Sequence, residues 1–161
     1  MQHEVIDRRE LRRTLGCFAT GVVVVTSDDG RDVRGMTANS FMSVSLEPPL
    51  VLVSVANNAK MGGVLTRAEH YGLSILSCPQ QEISSHFATR GSQLQLEFER
   101  VDGVPLIADA LAQIVCRISR RIRLGDHTLF VGEVLHHKRT NAPPLLYFAG
   151  SYQRLSVEFE S

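Results

Sequence analysis

The sequence lacks an excess of charge of either sign and lacks any long apolar run. Its 161 residues contain 17 Lys and Arg against 17 Asp and Glu, so the formal net charge is zero. Because nucleic acids and anionic membranes attract clustered positive charge, we expect neither to be a partner. The apolar runs are far too short to cross a bilayer, and the N-terminus lacks a signal-peptide core, so we expect a cytoplasmic protein.

Cysteine and metal-ligand patterns are also scarce. Cys17, Cys78 and Cys116 are odd in number, widely separated and without a CxxC pair, which argues against a disulfide framework and a zinc site. We expect them to be buried, reduced thiols. The six histidines show neither HExxH nor HxH spacing, and the adjacent His136 and His137 would point to opposite faces of a strand. No metal is therefore expected.

Familiar catalytic motifs are missing as well. The sequence contains no GxSxG elbow, no Walker loop and no GxGxxG after a strand. Nothing in it has the form of a hydrolase or a metalloenzyme. A bound nicotinamide nucleotide would have to be held by something other than a Rossmann crevice.

The elements that are present fit one domain spanning residues 1–161, a usual size for a single domain. Apolar periodicity and a capping box at Ser77 predict helices at 5–18, 60–66 and 78–89. Alternating or wholly apolar runs predict strands at 22–27, 42–46, 50–55, 71–76, 112–124, 128–136, 145–148 and 152–157. Many strands with hairpin turns, few helices and no βαβ alternation predict a mainly β fold, a closed or split antiparallel β-barrel.

Two of these strands have informative patterns. The strand at 50–55 is apolar on both faces, so we expect it to be central. The strand at 112–124 alternates, with apolar side chains on one face and Gln113, Ser119 and arginines on the other. The four arginines from 117 to 123 are more typical of a solvated or dimer-facing surface than of an anion site.

The segment from Gly35 to Val55 carries the strongest functional signal, because it interleaves small hydroxyl and amide side chains with apolar ones. Met42, Val44 and Leu46 fall on one face of a strand that we expect to be half-buried. The short polar residues before them are Thr37, Asn39 and Ser40. Such donors and acceptors suit a flat, heteroatom-rich ligand, since an unmatched buried polar group costs about 1–3 kcal/mol. On composition alone, an ordinary Ser/Thr-rich strand and loop is the commoner explanation.

Short motifs along the chain favour the ligand-binding explanation over an ordinary strand and loop. They are Ala19-Thr20-Gly21-Val22, Thr37-Ala38-Asn39-Ser40-Phe41, Ser43-Val44-Ser45, Pro48-Pro49-Leu50-Val51, His86-Phe87-Ala88, Gly125-Asp126-His127 and the segment from Tyr147 to Leu155. In this order they resemble the short-chain flavin reductases, the small partners of two-component flavin monooxygenases. The resemblance covers about residues 10–156, and the ordered combination is far more specific than any one motif. It implies a split antiparallel β-barrel of the FMN-binding type.

The resemblance also implies an activity and partners. It implies a homodimeric NAD(P)H:flavin oxidoreductase that transfers a hydride from NADH or NADPH to FMN or FAD and supplies diffusible reduced flavin to a monooxygenase. The strand edges of a small barrel also favour a dimer, because a partner would cover them. No catalytic side chain is expected, since the cofactors carry the chemistry and the protein supplies stacking, orientation and hydrogen-bond donors.

Site residues follow from the same resemblance. The flavin would contact Thr37, Ala38, Asn39, Ser40, Ser54, Val55 and Ala56. Phe87 and Ala88 fall where the family closes its pocket, although Phe87 is equally typical of core packing at a helix end. The nicotinamide nucleotide would contact His127, with Tyr152 and Arg154 as weaker candidates. A Ser-x-Thr pair that is common in the family for the flavin phosphate is replaced here by Ala59-Lys60-Met61, so Lys60 and helix-start amides would have to substitute for it.

Two other functions fit the same residues. One is a non-catalytic flavin- or haem-binding split barrel that carries electrons. The other is an oxidase of the pyridoxamine-phosphate type, which shares the barrel architecture but oxidises an amine. The sequence does not distinguish FMN from FAD or NADH from NADPH.

Overall fold

The computed structural model describes residues 5–28, 30–89 and 94–155. The helices in these residues are α1 (Arg8–Leu15), α2 (Lys60–Arg67) and α3 (Gln81–Ala88), the last preceded by a short 3₁₀ turn at Cys78–Gln80. The strands are β1 (Thr20–Gly21), β2 (Val23–Asp28), β3 (Val33–Ala38), β4 (Phe41–Leu46), β5 (Pro49–Ala56), β6 (His70–Ile75), β7 (Phe98–Val101), β8 (Val104–Ile107), β9 (Ala112–Leu124), β10 (His127–Arg139), β11 (Leu145–Phe148) and β12 (Ser151–Arg154). The end of the strand predicted at 152–157 lies outside the described residues.

Seven strands form one antiparallel sheet in the order β3-β2-β6-β9-β10-β5-β4. Its two edge strands are consecutive in the chain, because β3 ends at Ala38 and β4 begins at Phe41. The sheet must therefore curl until its edges approach each other. No ladder joins β3 to β4 along their described lengths, so the barrel is split at the motif that runs from Thr37 to Phe41. The predicted split antiparallel barrel is confirmed.

The core lies on both sides of β2. Val23 and Val25 pack inside the barrel, while Val22 and Val24 pack outside it under α3 and β11. Valine suits this position because a β-branched side chain packs well on a pleated sheet. The strand predicted to be central, now β5, is instead next to the edge strand β4, and only its alternate residues are fully buried.

Two apolar faces are exposed in the single chain, one on the helix predicted at 5–18 and one on the strand at 42–46 that we expect to be half-buried. The predicted helix at 5–18 is shorter, because Asp7 caps α1 by accepting hydrogen bonds from the amides of Arg9 and Glu10. The exposed apolar residues around α1 are Val5, Ile6, Leu11, Leu15 and Phe18, and those on β4 are Met42, Val44 and Leu46. The prediction that β4 is half-buried is wrong for the single chain. β4 is an edge strand, and the described elements leave its apolar face open.

The β7–β8 hairpin was not predicted from the sequence. Its turn places Asp102 and Gly103 at positive φ, and Pro105 lies within β8. Gln113 of β9, predicted to be on the polar outer face, is buried instead, because its side-chain amide donates to Ile107 O at 2.7 Å and to Glu99 Oε2 at 3.0 Å. This hairpin therefore covers the end of β9.

The three cysteines are free thiols, but only one is buried. Burial raises the pKa of Cys116 to about 12, which keeps it protonated. Cys78 is partly buried and Cys17 is exposed, so the prediction of burial is wrong for Cys17. None of the helices in the described ranges is long and apolar enough to cross a membrane.

Candidate functional site

The split between β3 and β4 places the loop motif at the barrel rim, with most of its hydroxyls already bonded. Thr37 Oγ1 donates to Ser84 O of α3 at 2.6 Å. Ser40 Oγ donates to Ser54 O at 2.7 Å and accepts from Ser54 N at 3.2 Å. These bonds fix the loop to α3 and β5. The side-chain amide of Asn39 makes no hydrogen bond with the described residues, so it is the polar group of this motif that is left for a ligand.

Asn39 lies where two cavities meet. A cavity of about 770 Å³ lies between α1 and the β11–β12 turn, and one of about 190 Å³ lies between β3 and the end of α3. Asn39 and Tyr147 line both, so we call the combined space the Asn39 cleft. The predicted residues that line it are Thr37, Ala38, Asn39, Ala88 and Tyr152. The larger cavity is of the size that typically holds a small organic ligand.

The end of β5 is less exposed to this cleft than the sequence suggests. Val55 is 1% exposed and packs in the barrel core, so only its backbone could meet a ligand. Ala56 lines a separate cavity of about 330 Å³ beside the β9–β10 turn. Lys60 is exposed at the first residue of α2, whose N-cap, Ala59, makes no side-chain hydrogen bond to the helix. Lys60 and the first amides of α2 are thus available to an anion, but outside the lining of the Asn39 cleft.

His127 begins β10 and pairs with Ala56 of β5. Its Nδ1 lies 2.7 Å from Asp126 Oδ1. Because an ionised carboxylate can only accept a hydrogen bond, Nδ1 carries the proton and Nε2 of a neutral ring remains an acceptor. The hydrogen bond from His127 is the main cause that lowers the pKa of Asp126, and the charge of Arg8 on α1 adds to it.

Asn57 holds this turn against the end of β5 through three hydrogen bonds. Its backbone amide donates to Asp126 O at 2.9 Å. Its side-chain amide donates to Gly125 O at 3.2 Å, and its Oδ1 accepts from Thr128 Oγ1 at 2.7 Å. The position of His127 is thus set by the strand that follows the predicted flavin motif.

The candidates on α3 and β12 separate into different places. Tyr152 lines the Asn39 cleft, its hydroxyl lies 2.7 Å from Ser84 Oγ, and its ring meets Tyr147 edge to face at 5.5 Å. Arg154 lines a different surface cavity on α3. Phe87 packs against Gly35 and Phe98, which favours core packing over ligand contact.

Several residues that line the cleft were not predicted from the sequence, among them Arg12, Thr20 and Tyr147. Thr20 and Tyr147 belong to motifs that carry the family resemblance, but nothing in the local pattern assigns their side chains a role. Thr20 Oγ1 is buried and has no hydrogen-bond partner in the described chain. Arg12 stands among other arginines of α1, and only the packing of the helix shows which of them faces the cleft.

Comparisons with known proteins show which family the chain belongs to. A family model for the flavin reductase like domain matches residues 15–156. An NADH-dependent flavin reductase of Rhodococcus sp is 42% identical over 151 residues, covering 91% of this chain and 86% of the relative. The reductase component of 4-hydroxyphenylacetate 3-monooxygenase from Thermus thermophilus is 41% identical over 150 residues, covering 92% of this chain and 97% of the relative.

Among solved structures, flavin reductase PheA2 in its native state matches with a TM-score of 0.92 and 46% identity. That match covers 94% of this chain and 100% of the other. The family match includes the β3–β4 motif, the His127 turn and β12, while most of α1 lies before it. The chain therefore belongs to the flavin reductase-like domain family.

Proposed function

We propose that this chain is an NAD(P)H:flavin oxidoreductase that transfers a hydride from NADH or NADPH to FMN or FAD. The observation that carries the proposal is the Asn39 cleft at the split of the barrel, in a chain of this family. The cleft offers a free side-chain amide, small neighbours such as Ala38 and Ala88, and aromatic rings on one wall. These are the groups that a flat ring with polar edges requires.

The protein's own task in this reaction is orientation. A bound flavin supplies the hydride-accepting chemistry, and the residues described here bind it and order its surroundings. Holding the two reacting rings about 3–3.5 Å apart can by itself lower the activation barrier to hydride transfer by several kcal/mol, so no acid–base pair is needed. Asn39 would hydrogen-bond a ring edge, and His127 would contact the nicotinamide nucleotide from the β9–β10 turn.

We further propose that the reduced flavin leaves and serves a separate monooxygenase. One relative is itself the reductase component of a monooxygenase, which supports a partner of that class. The groups predicted to hold the flavin phosphate, Lys60 and the first amides of α2, lie outside the cleft lining. A micromolar dissociation constant corresponds to about 8 kcal/mol, which ring contacts and a few hydrogen bonds can supply.

The direct test is NADH oxidation with FMN, FAD or riboflavin added in turn. We expect absorbance loss at about 340 nm, where the dihydronicotinamide absorbs, only when a flavin is present or retained. NADH is the expected donor, because the Rhodococcus relative is named NADH-dependent. Amine substrates such as pyridoxamine phosphate serve as the control and should not be oxidised. Absence of flavin-dependent oxidation with either nucleotide would rule out the reductase, and amine oxidation would favour the oxidase.

A homodimer in the cytoplasm is the proposed state of the protein. The exposed apolar residues of α1 and β4 support it, since Phe18 is 79% and Leu46 is 90% exposed in the single chain. Light scattering is expected to give twice the chain mass of 17.8 kDa. A monomer mass with full flavin reductase activity would contradict the proposed homodimer.

A further inference from the structure

A buried serine of α3, Ser84, connects two strands that border the narrow part of the Asn39 cleft, its cavity of about 190 Å³. The carbonyl oxygen of Ser84 accepts from Thr37 Oγ1 of β3 at 2.6 Å, and its hydroxyl lies 2.7 Å from the hydroxyl of Tyr152 on β12. Thr37 and Tyr152 both line the narrow part, whereas Ser84 does not. Ser84 therefore acts on the cleft through these two residues.

The two connected strands belong to different sheets. β3 is part of the seven-stranded sheet and β12 is part of the three-stranded sheet, so no ladder between the described strands fixes their separation. Tyr147 of β11 holds the body of the Tyr152 ring in an edge-to-face contact, with 5.5 Å between the ring centroids. The hydroxyl of Ser84 holds the tip of the same side chain. Both ends of the Tyr152 ring are thus fixed at the wall of the cleft.

Burial decides which hydroxyl donates in the pair of Ser84 and Tyr152. Ser84 is 0% exposed, and its hydroxyl has no other hydrogen-bond partner among residues 5–28, 30–89 and 94–155. If Tyr152 donated to Ser84, the serine proton would be buried without an acceptor, which native structures rarely allow. Ser84 Oγ therefore donates to the Tyr152 oxygen. The phenol proton is left for another acceptor, and the cleft that Tyr152 lines can hold one.

We propose that Ser84 is a positioning residue for the flavin: it orients Tyr152 so that the phenol O–H donates to a polar edge of the flavin ring. The proposal rests on the proposed function, because it takes flavin as the ligand of the cleft. Flavin is the ligand of choice because Thr37, Ala38 and Asn39, which are predicted to contact it, share this cavity with Tyr152. A donor fixed in advance is most effective where charge develops, and the ring gains negative charge as it accepts hydride.

The test is a double-mutant cycle with Ser84→Ala and Tyr152→Phe. Riboflavin is the probe, titrated by its fluorescence without NADH, because it carries the ring but no phosphate. We expect Ser84→Ala to weaken riboflavin binding about fivefold and Tyr152→Phe about tenfold, the effect of one hydrogen bond. The double variant should bind like Tyr152→Phe alone, since the Ser84 hydroxyl acts only through the phenol group. The titration needs no turnover, so this proposal and the proposed function can fail separately.

A second buried serine separates positioning from stability. Ser74 of β6 is also 0% exposed, and its hydroxyl accepts from Ile107 N at 2.9 Å, outside the lining of the cleft. Ser74→Ala and Ser84→Ala should both lower Tm, but only Ser84→Ala should weaken riboflavin binding. With FMN saturating, Ser84→Ala should also lower kcat about fivefold and leave KM for NADH unchanged.

Equal losses of riboflavin affinity in the two serine variants would make the effect one of stability and overturn the proposal. So would a further loss when Ser84→Ala is added to Tyr152→Phe. A raised KM for NADH with unchanged riboflavin affinity would also overturn it, because Tyr152 would then serve the nicotinamide nucleotide. If Ser84→Ala does not fold, Tyr152→Phe, which keeps the ring, decides alone: unchanged riboflavin affinity in that variant would contradict the donor role of the phenol.

Discussion

Replacing His127 with alanine is expected to lower kcat/KM for NADH by a factor of about 5 to 150, the loss expected for one hydrogen bond. The physical reason is the ordered ring: Asp126 fixes the proton on Nδ1, and the turn is held by Asn57, so Nε2 is presented in one orientation. Flavin affinity should be unchanged, because His127 is not among the residues that line the Asn39 cleft. Steady-state kinetics and flavin titration measure the two effects separately.

His137→Ala is the matched control for this variant. His137 is an exposed histidine on the same strand, opposite Ile114 and far from the turn. It should leave both NADH use and flavin binding unchanged. If His127→Ala instead loses flavin affinity while NADH saturation is unaltered, the assignment of His127 to the nicotinamide nucleotide is wrong.

Replacing Gly35 with alanine is expected to lower the free energy of unfolding by about 1–3 kcal/mol, the usual cost of overpacking. Gly35 lies on β3, and a Cβ there would approach three ring atoms of Phe87, the farthest at 2.9 Å. The ring cannot move away freely, because Phe98 packs against it at 6.4 Å between centroids. Urea denaturation followed by circular dichroism measures the change.

A double variant tests whether Phe87 is the cause. Phe87→Leu, added to Gly35→Ala, should recover part of the lost stability, since the smaller side chain makes room for the new methyl group. Gly21→Ala is the control, because its Cβ would have no neighbour within 4 Å. If Gly35→Ala unfolds like the unmodified protein, Phe87 does not pack on β3 and its role as a ligand contact regains support.

The sequence pattern predicted most elements because each signal is local. The clean alternation from Ala112 to Leu124 is a property of consecutive residues, and so is the capping box, in which Ser77 N donates to Gln80 Oε1 at 3.1 Å. The β7–β8 hairpin was not predicted, although its Asp102-Gly103 turn is a strong hairpin signal. Pro105 within the second strand obscured it, since proline is depleted in strands.

Tertiary contacts decided what the local pattern could not. Gln113 is polar and in an outward register, yet it is buried because the preceding β7–β8 hairpin folds back and supplies partners for its amide. The motif from Thr37 to Ser40 was identified, but which of its side chains remain free depends on α3 and β5, which accept hydrogen bonds from Thr37 and Ser40. Arg12 was not predicted for the same reason, because only the docking of α1 shows that Arg12 and Arg13 line the cleft while Arg9 does not.

The central claim is that this protein reduces flavin and then releases it, and one dialysis experiment tests this most directly. The protein, NADH and FMN are placed under nitrogen on one side of a membrane that retains protein, and cytochrome c is placed on the other. We predict that cytochrome c is reduced at a rate that depends on flavin concentration, because micromolar binding lets reduced flavin diffuse across. Reduction confined to the protein's side, with flavin still bound, would contradict the claim and favour an electron carrier.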